Sequence, residues 1–405
     1  MNLIQPVYFM AHIYIILLVV FTLYLIFGLD KGKYKGILIL GFLLRILVLV
    51  IDLNQWIILP HAGGDSEAFD MIARYNVSHY YSSLSLTNYT WFLTFLYSIP
   101  GCSRVFAQFL NVVLGIGVLL IVRRGLSYLN LSSKTKQYIM VLATLAPTSI
   151  ILSGLLLREA WIQFFITLSI LYFIHWFNKG KAKYIIFCLL SVLIAAIMHS
   201  GMVAVAIGYF TAFICYRPQS GRTKISGTSV FSILVMIVFA AFFMNNMDIF
   251  GDKAGKLKGG DTDKALMDSY KTWGGDSDYL TWLPIDNPTL ALLFTPLKMF
   301  YFMFSPIPFD WRGLNDIISF GLDSCMYFFL IWKICRIKLK NTLHLHFRNY
   351  MKITFFIVIF VFGFGTTNAG AAMRHRAKIL PMMIITFAVC LSDRDRQQGI
   401  PFNKA

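Results

Sequence analysis

Two arginines flank a histidine near the end of the chain, at Arg374-His375-Arg376, and Lys378 follows closely. The cluster lies between apolar runs, and residues 368–372 before it are mostly small. Guanidinium groups bind phosphate through paired, charge-assisted hydrogen bonds, and a helix N-terminus adds its own preference for anions. The pattern predicts an anion site in which Arg374 and Arg376, with His375 beside them, bind two phosphate groups. The alternative is a set of side chains that only reach from a helix end to the membrane surface.

Two carboxylates, Asp65 and Glu67, follow a pair of glycines just after the second apolar run. A carboxylate that acts as general base must be held near the hydroxyl that it deprotonates. Either carboxylate, Asp65 or Glu67, is therefore a candidate general base. The alternative is solvated loop charge. The spacing also suits a divalent cation, but no third ligand accompanies it, so no cofactor is predicted.

Four further ionisable residues interrupt or border apolar segments, where charge is costly and often functional. Arg158 and Glu159 join two apolar runs; Arg158 is a candidate phosphate ligand held by Glu159, or the two form a structural pair. Lys298 is a candidate phosphate ligand, or it reaches to the membrane surface. His199 is a candidate contact to a second substrate, the acceptor of a transferred group, or it is an ordinary turn residue.

The elements that must position these residues are membrane helices. The chain is 58% hydrophobic and only 14% charged, whereas soluble domains carry roughly 25% charged residues. Several uncharged stretches exceed the ~20 residues that a helix needs to cross a bilayer. We predict an all-α polytopic integral membrane protein, a single transmembrane domain over 1–405, with about eleven spans. The apolar runs lie at 8–28, 36–59, 104–122, 137–156, 160–177, 184–198, 202–215, 227–247, 316–332, 353–367 and 377–392.

Basic residues occur in alternate connections between these runs. Six connections, the last being the C-terminal tail, hold 22 of the 36 basic residues and only three of the 19 acidic ones. Basic connections are retained in the cytoplasm, so we predict an external N-terminus and a cytoplasmic C-terminus. Attraction to anionic membrane lipid accounts for the net charge of +17, and no nucleic-acid partner is predicted. Arg45 and Asp52, on one face of the second run, are predicted to pair with other helices.

Two apolar segments, Tyr89–Pro100 and Pro288–Pro308, would disrupt this alternation if they crossed the membrane. We predict that both are re-entrant or interfacial helices on the outer face, next to a water-filled cavity. They border two outer loops. The first, 60–88, carries the acidic motif, and the second, 248–315, contains the re-entrant segment and several aromatic residues.

Four stretches carry a resemblance to a known family: Gly63–Glu67, Trp91–Gly101 running into Phe106–Arg124, Leu155–Ala160, and Ala372–Pro381. The chain resembles the GT-C-like membrane glycosyltransferases and, within them, the Wzy-type polymerases of O-antigen and capsular polysaccharides. The resemblance implies an acid of the first outer loop at the catalytic centre, which maps onto Asp65 and then Glu67. It also implies that basic residues at the outer ends of later spans bind a lipid-linked phosphate. These map onto Arg374 and Arg376, with Arg158 a further candidate, whereas Lys298 and His199 match by position only.

The function that follows is polymerisation of lipid-linked repeat units on the periplasmic face of a bacterial inner membrane. The growing chain on undecaprenyl pyrophosphate would be the donor, and a sugar hydroxyl of a lipid-linked oligosaccharide the acceptor. Control of chain length would need a partner that the sequence does not identify. The alternatives are a glycosyltransferase that uses a polyprenyl-phosphate sugar, an O-antigen ligase, and a flippase for lipid-linked oligosaccharides. A membrane O-acyltransferase with a histidine base lacks a supporting motif.

Overall fold

A computed structural model of the protein describes residues 4–29, 32–57, 59–60, 64–79, 87–218, 227–246, 277–283 and 288–397. Within these ranges the regular secondary structure is helical. Six helices are long and apolar enough to cross a membrane, and the number rises to eight if each of two bent helix pairs is one span. The predicted all-α, multi-pass membrane architecture is confirmed at this level. Eleven spans and a GT-C-like arrangement are not confirmed.

The helices of the described residues are α1 Ile4–Leu29, α2 Lys35–Asn54, α3 Asp65–Ser78, α4 Asn88–Tyr97, α5 Arg104–Ser127, α6 Ser133–Thr144, α7 Pro147–Gly154, α8 Glu159–Lys179, α9 Lys183–Met198, α10 Val203–Cys215, α11 Gly227–Asn245, α12 Pro288–Phe304, α13 Leu314–Ser319, α14 Cys325–Arg336, α15 Thr342–Gly365, α16 Ala369–Ala377 and α17 Leu380–Gln397. A π-helical turn over Phe320–Ser324 joins α13 to α14, so that Leu314–Arg336 forms one continuous candidate span.

Each predicted apolar run corresponds to helix, but not always to a straight span. The run at 137–156 is α6 and α7, which meet at 49°, and the run at 377–392 begins at the last residue of α16 and is otherwise α17, which meets α16 at 54°. A proline stands near the start of the second helix of each pair, at Pro147 and Pro381. Proline lacks the N–H that would continue the preceding helix and fits the first turn of a new one. Three further runs lie in shorter apolar helical segments, Lys183–Met198, Ser200–Cys215 and Val230–Asn245, which are not among these six to eight candidate spans.

The centre of the bundle is formed by α5 and α8. In each of them, more than half of the apolar segment is buried inside the protein. By contrast, α1 and α11 lie at the periphery and expose large apolar side chains, including Phe9, Tyr24, Leu234 and Val238. Exposed apolar faces of this extent are unusual in soluble monomers. They are what lipid-facing helices present.

The ends of the helices fall into two groups with different charge. At one end, Arg123 of α5 donates a hydrogen bond to the carbonyl oxygen of Leu29, at 3.1 Å, and Asp393 of α17 accepts from the backbone of Lys340. The described parts of the basic connections converge here, so this is called the basic end. At the other end, Asp52 of α2 bonds to Arg104 and Gln108 of α5. The start of α8 and all of α3 also lie there, and this is called the acid–base end.

The two segments predicted to be re-entrant are helical. Residues 88–97 form α4, which packs beside α3, and 288–304 form α12, which packs beside α15. Whether either enters a membrane from one side stays a prediction. Most of the second outer loop, including Tyr270 and Trp273, lies outside the described residues, as do His61, Ala62 and Gly63 before the acidic motif.

Candidate functional site at the acid–base end

The basic cluster lies on α16, a short helix whose start is fixed from two sides. Asn368 caps it by accepting a hydrogen bond from the Ala371 backbone N–H at 2.7 Å. Residues 277–279 run alongside the segment before it, where Ala369 N–H donates to the Ser277 carbonyl and Tyr279 N–H donates to the Thr367 carbonyl. A described part of the second outer loop, residues 277–279, therefore borders the predicted phosphate ligands.

The first predicted acid meets the first predicted arginine. Arg374 Nη1 donates a hydrogen bond to Asp65 Oδ2, although the two residues are 309 positions apart in sequence. The Arg374 side chain is 20% exposed and that of Asp65 is 50% exposed. The pair is therefore open to an incoming ligand, and a ligand anion would compete with Asp65 for the same guanidinium.

Glu67 is bound elsewhere. Both of its oxygens accept hydrogen bonds from Arg104 at the start of α5, each at 2.7 Å. Arg104 also contacts Asp52 at 3.1 Å. The Arg104 hydrogen bond is the main cause that lowers the pKa of Glu67 below its ordinary value, and the charges of Arg104 and Arg74 add to this effect. Glu67 is thus an ionised anchor that ties α3 to α5.

Glu159 and Lys378 form a buried charged pair behind Arg374. The Lys378 ammonium lies 3.9 Å from Glu159 Oε1 and 2.8 Å from His375 Nδ1, and both charged side chains are almost fully buried. Glu159 Oε2 is buried and has no hydrogen-bond partner among the described residues. The positive charges of Lys378, Arg374 and Arg158 all act on this carboxylate. Lys378 was not predicted as a site residue, although its position one helical turn after Arg374 would have suggested it.

Arg158 precedes the first turn of α8 and faces the same cluster. Its guanidinium lies 5.9 Å from the centre of the Phe69 ring, on α3. Among the described residues it makes no hydrogen bond and no ion pair. This half-buried arginine therefore has donors that no described residue uses.

The two histidines pack together at the edge of the cluster. The His199 and His375 rings are 4.8 Å apart, and both contact the ring of Phe362 on α15. His199 Nδ1 accepts a hydrogen bond from the Gly201 backbone at 3.3 Å. Both rings thus belong to the wall of the site.

Arg376 points away from this cluster. Its side chain is fully buried and donates to Asp323 Oδ2 at 2.6 and 2.9 Å, to Ser324, and to the carbonyls of Met303 and Ser305. The Thr148 hydroxyl donates a hydrogen bond to the other oxygen of Asp323, Oδ1, at 2.6 Å. With every guanidinium nitrogen engaged, Arg376 holds α16 against its neighbours. Asp323 was not predicted as a site residue, although an acid inside an apolar run could have suggested it.

Lys298 is also separate from the cluster. Its ammonium donates to the Phe364 carbonyl at the end of α15, at 2.8 Å, and the side chain is almost fully buried. The buried pairing predicted for Asp52 is present, through Arg104 and Gln108 of α5. Arg45 is fully buried but bonds only to the Gly41 carbonyl within its own helix, so a pair with another helix is not seen for it among the described residues.

The structure therefore brings together a set of predicted residues from four parts of the chain: Asp65, Arg158, Glu159, His199, Arg374 and His375. Glu67 lies beside the set on α3. The side chains of Arg376 and Lys298 contact other partners and lie outside the set. Asp65 and Glu67 bind different arginines and do not share a ligand. No group of three or more His, Cys, Asp or Glu side chains suited to a metal ion occurs in the described part of the chain.

In comparisons with known proteins, the chain matches no family, no curated protein and no solved structure.

Proposed function

We propose that the protein polymerises lipid-linked oligosaccharide units, using a growing chain on undecaprenyl pyrophosphate as donor. The observation that carries this proposal is the contact of Asp65 with Arg374. It joins a half-exposed carboxylate to a cluster of basic side chains that includes Arg158 and Lys378. A transferase with an anionic leaving group needs these two functions, proton acceptance and charge stabilisation, side by side.

Within this proposal, Arg374 and Arg158 bind the pyrophosphate. Arg158 has unused donors, and Arg374 gives up Asp65 when the phosphate arrives. Lys378 adds positive charge from behind, and Glu159 keeps the buried cations balanced. Arg376 and Lys298, which were predicted as ligands, become positioning residues because their donors are already occupied by the protein.

The exchange at Arg374 links binding to chemistry. While the site is empty, Asp65 is bound to Arg374; once phosphate replaces it, the carboxylate is released next to the acceptor. The acceptor hydroxyl oxygen then attacks the anomeric carbon of the donor sugar. The bond from that carbon to the pyrophosphate oxygen breaks, the leaving group takes the electron pair, and Asp65 takes the hydroxyl proton. Electrostatic stabilisation of the departing diphosphate by Arg374 and Arg158 lowers the barrier.

The charge distribution supports a location at the outer face of a bacterial inner membrane. The basic connections converge at the end opposite to the site, and such connections stay in the cytoplasm. The site then faces the periplasm, where lipid-linked repeat units would reach it, and the C-terminus lies in the cytoplasm.

The direct test is a synthesis assay with purified protein in nanodiscs and a lipid-linked repeat unit. We expect Arg374→Ala and Asp65→Asn to abolish long products, and Arg374→Lys to retain a small fraction because a lysine lacks the paired donors. Arg336→Ala removes an exposed arginine at the basic end and serves as the matched control. The double variant Asp65→Arg/Arg374→Asp can restore the ion pair but not phosphate binding, so it should stay inactive. Normal ladders from Arg374→Ala at normal protein levels would refute the proposal.

Accumulated intermediates separate a polymerase from related transferases. A polymerase defect leaves single lipid-linked units, whereas a ligase defect leaves long lipid-linked chains. A single-sugar transferase would extend the acceptor by one residue only. Mass spectrometry of the lipid fraction distinguishes the three.

A flippase for lipid-linked oligosaccharides is the second candidate, and Arg45 favours it. This arginine is fully buried within α2, away from the cluster, and has no carboxylate partner among the described residues. Buried charge on a membrane helix often marks a transport path. Product formed by purified protein without any gradient would exclude a pure transporter, and Arg45→Met should then leave synthesis intact.

A further inference from the structure

A second candidate binding site lies at the basic end, opposite to the acid–base cluster. A pocket of about 420 Å³ opens between α6, α14 and α17. Buried apolar side chains, among them Phe387 and Leu391, form its inner wall. Three cations, Lys134, Lys333 and Arg394, also line it. Arg394 is half exposed and Lys134 is exposed, so both stand at its mouth.

The described residues neutralise the cations of this pocket only weakly. Oδ2 of Asp395 accepts hydrogen bonds from the Ser132 backbone and from Thr135, and Arg394 approaches the other oxygen, Oδ1, only to 3.9 Å. The Lys333 ammonium lies 4.3 Å from the centre of the Trp332 ring, which holds it without neutralising it. These contacts leave positive charge directed at the pocket.

The start of α6 strengthens this charge. Lys134 lies in the first turn of that helix, which has no acidic residue. The N-terminal end of a helix carries partial positive charge, so a lysine there is unfavourable unless an anion is near. An anion bound between Lys134 and Arg394 would relieve this repulsion and gain from the helix dipole.

We propose that this pocket binds the headgroup of an anionic phospholipid. The phosphate would lie among Lys134, Lys333 and Arg394, and the start of the acyl chains against Phe329, Phe387 and Leu391. Basic pockets between membrane helices on the cytoplasmic side suit such headgroups. The combination of cations with an apolar wall favours a lipid over a free phosphate ion. The proposal is independent of the reaction at the acid–base end.

The test uses the full-length protein and titration with phosphatidylglycerol, with phosphatidylcholine as the uncharged comparison. Native mass spectrometry measures how much lipid each variant retains. The pocket variant is Lys134→Gln/Lys333→Gln/Arg394→Gln. The matched control is Lys179→Gln/Lys181→Gln/Lys183→Gln, which removes the same charge from exposed residues at the same end, outside the pocket. Glycerol phosphate and inorganic phosphate serve as soluble competitors.

We expect the pocket variant to lose on the order of tenfold or more of its retention of phosphatidylglycerol, since each cation near a membrane surface contributes about 1 kcal/mol, or about fivefold. The control should retain the lipid as the unaltered protein does. Equal losses in both variants, or equal retention of phosphatidylcholine, would overturn the proposal. Displacement of the lipid by soluble phosphate at equal concentration would also overturn it. If the triple variant fails to fold, Lys333→Gln alone must show a partial loss at an unchanged melting temperature.

Discussion

The two acids of α3, Asp65 and Glu67, bind different partners because the helix directs their side chains to different neighbours. Residues two positions apart on a helix diverge by about 200°. Asp65 consequently faces α16 and Arg374, while Glu67 faces α5 and Arg104. The first contact is open and exchangeable, and the second is a bidentate anchor. Under the proposed function, a carboxylate that is released on ligand binding and one that holds the helix in place are thus separated within one turn.

The Glu67 anchor predicts a pH dependence of stability. Its pKa is lowered in the folded protein, so its contribution is fully present above its ordinary pKa of 4.5 and is lost as the pH falls through the lowered value. Because the side chain is half exposed, the contribution should be only about 0.5 to 1 kcal/mol. We expect Glu67→Gln to lower the melting temperature at pH 7, and the difference from the unaltered protein to vanish in acid. A difference that stays constant from pH 7 to acid would contradict this.

The buried pair of Glu159 and Lys378 predicts a different pattern of mutant stabilities. Removing one member leaves a buried charge without a partner, which costs about 3–5 kcal/mol. We expect Glu159→Gln and Lys378→Met each to destabilise the folded protein strongly. The double variant should cost clearly less than the sum, because neither charge remains. Unfolding in detergent mixtures measures all three, and strictly additive losses would mean that the two groups do not interact.

The sequence predicted the charged residues of the site better than their roles. Arg374 and Arg376 look alike in the sequence, yet one meets Asp65 and the other is fully bound by Asp323 and nearby carbonyls. The difference depends on what packs against each face of α16. Those neighbours come from residues 302–324 and from α3, distant segments that no local pattern specifies.

At the scale of elements, the boundaries of the helices follow apolar runs and breaker residues. The run at 104–122 became α5 with the same start, because charge and polarity change sharply there. The bends between α6 and α7 and between α16 and α17 were not predicted, although Pro147 and Pro381 mark both. Hydropathy alone cannot distinguish a bent pair from a straight span, since it records how apolar a segment is and not which backbone hydrogen bonds are missing.

Close approach of α10 and α15 depends on a glycine. A Cβ at Gly208 would lie 2.6 Å from the Thr354 Cα, and backbone atoms cannot move aside easily. We expect Gly208→Ala to lower stability by about 1–3 kcal/mol. Gly36→Ala is the matched control, because a Cβ there meets nothing within 4 Å and alanine favours the helix. Thermal unfolding of both variants checks the prediction, which fails if the two changes are equivalent.

At the scale of the whole molecule, the chain separates its charges between two ends of a helical bundle. Charge sorting in the sequence predicted this division, because loops that alternate in charge must alternate in side. The number of crossings could not be predicted as firmly. The described parts of α9, α10 and α11 are apolar but short, and whether short helices cross depends on tilt and on the bilayer around them.

The division of charge predicts the orientation of the protein in its membrane. The 21 residues of α8 span about 31 Å, close to the thickness of a bilayer core, and the helix runs from the acid–base cluster to the basic end. Ser78, at the end of α3, and Lys181, after α8, should therefore lie on opposite faces. In a background without the six natural cysteines, we expect Ser78→Cys to react with an impermeant maleimide on intact cells. Lys181→Cys should react only after permeabilisation. Labelling of Lys181→Cys alone on intact cells would place the acid–base cluster in the cytoplasm, where a periplasmic polymerase could not use it.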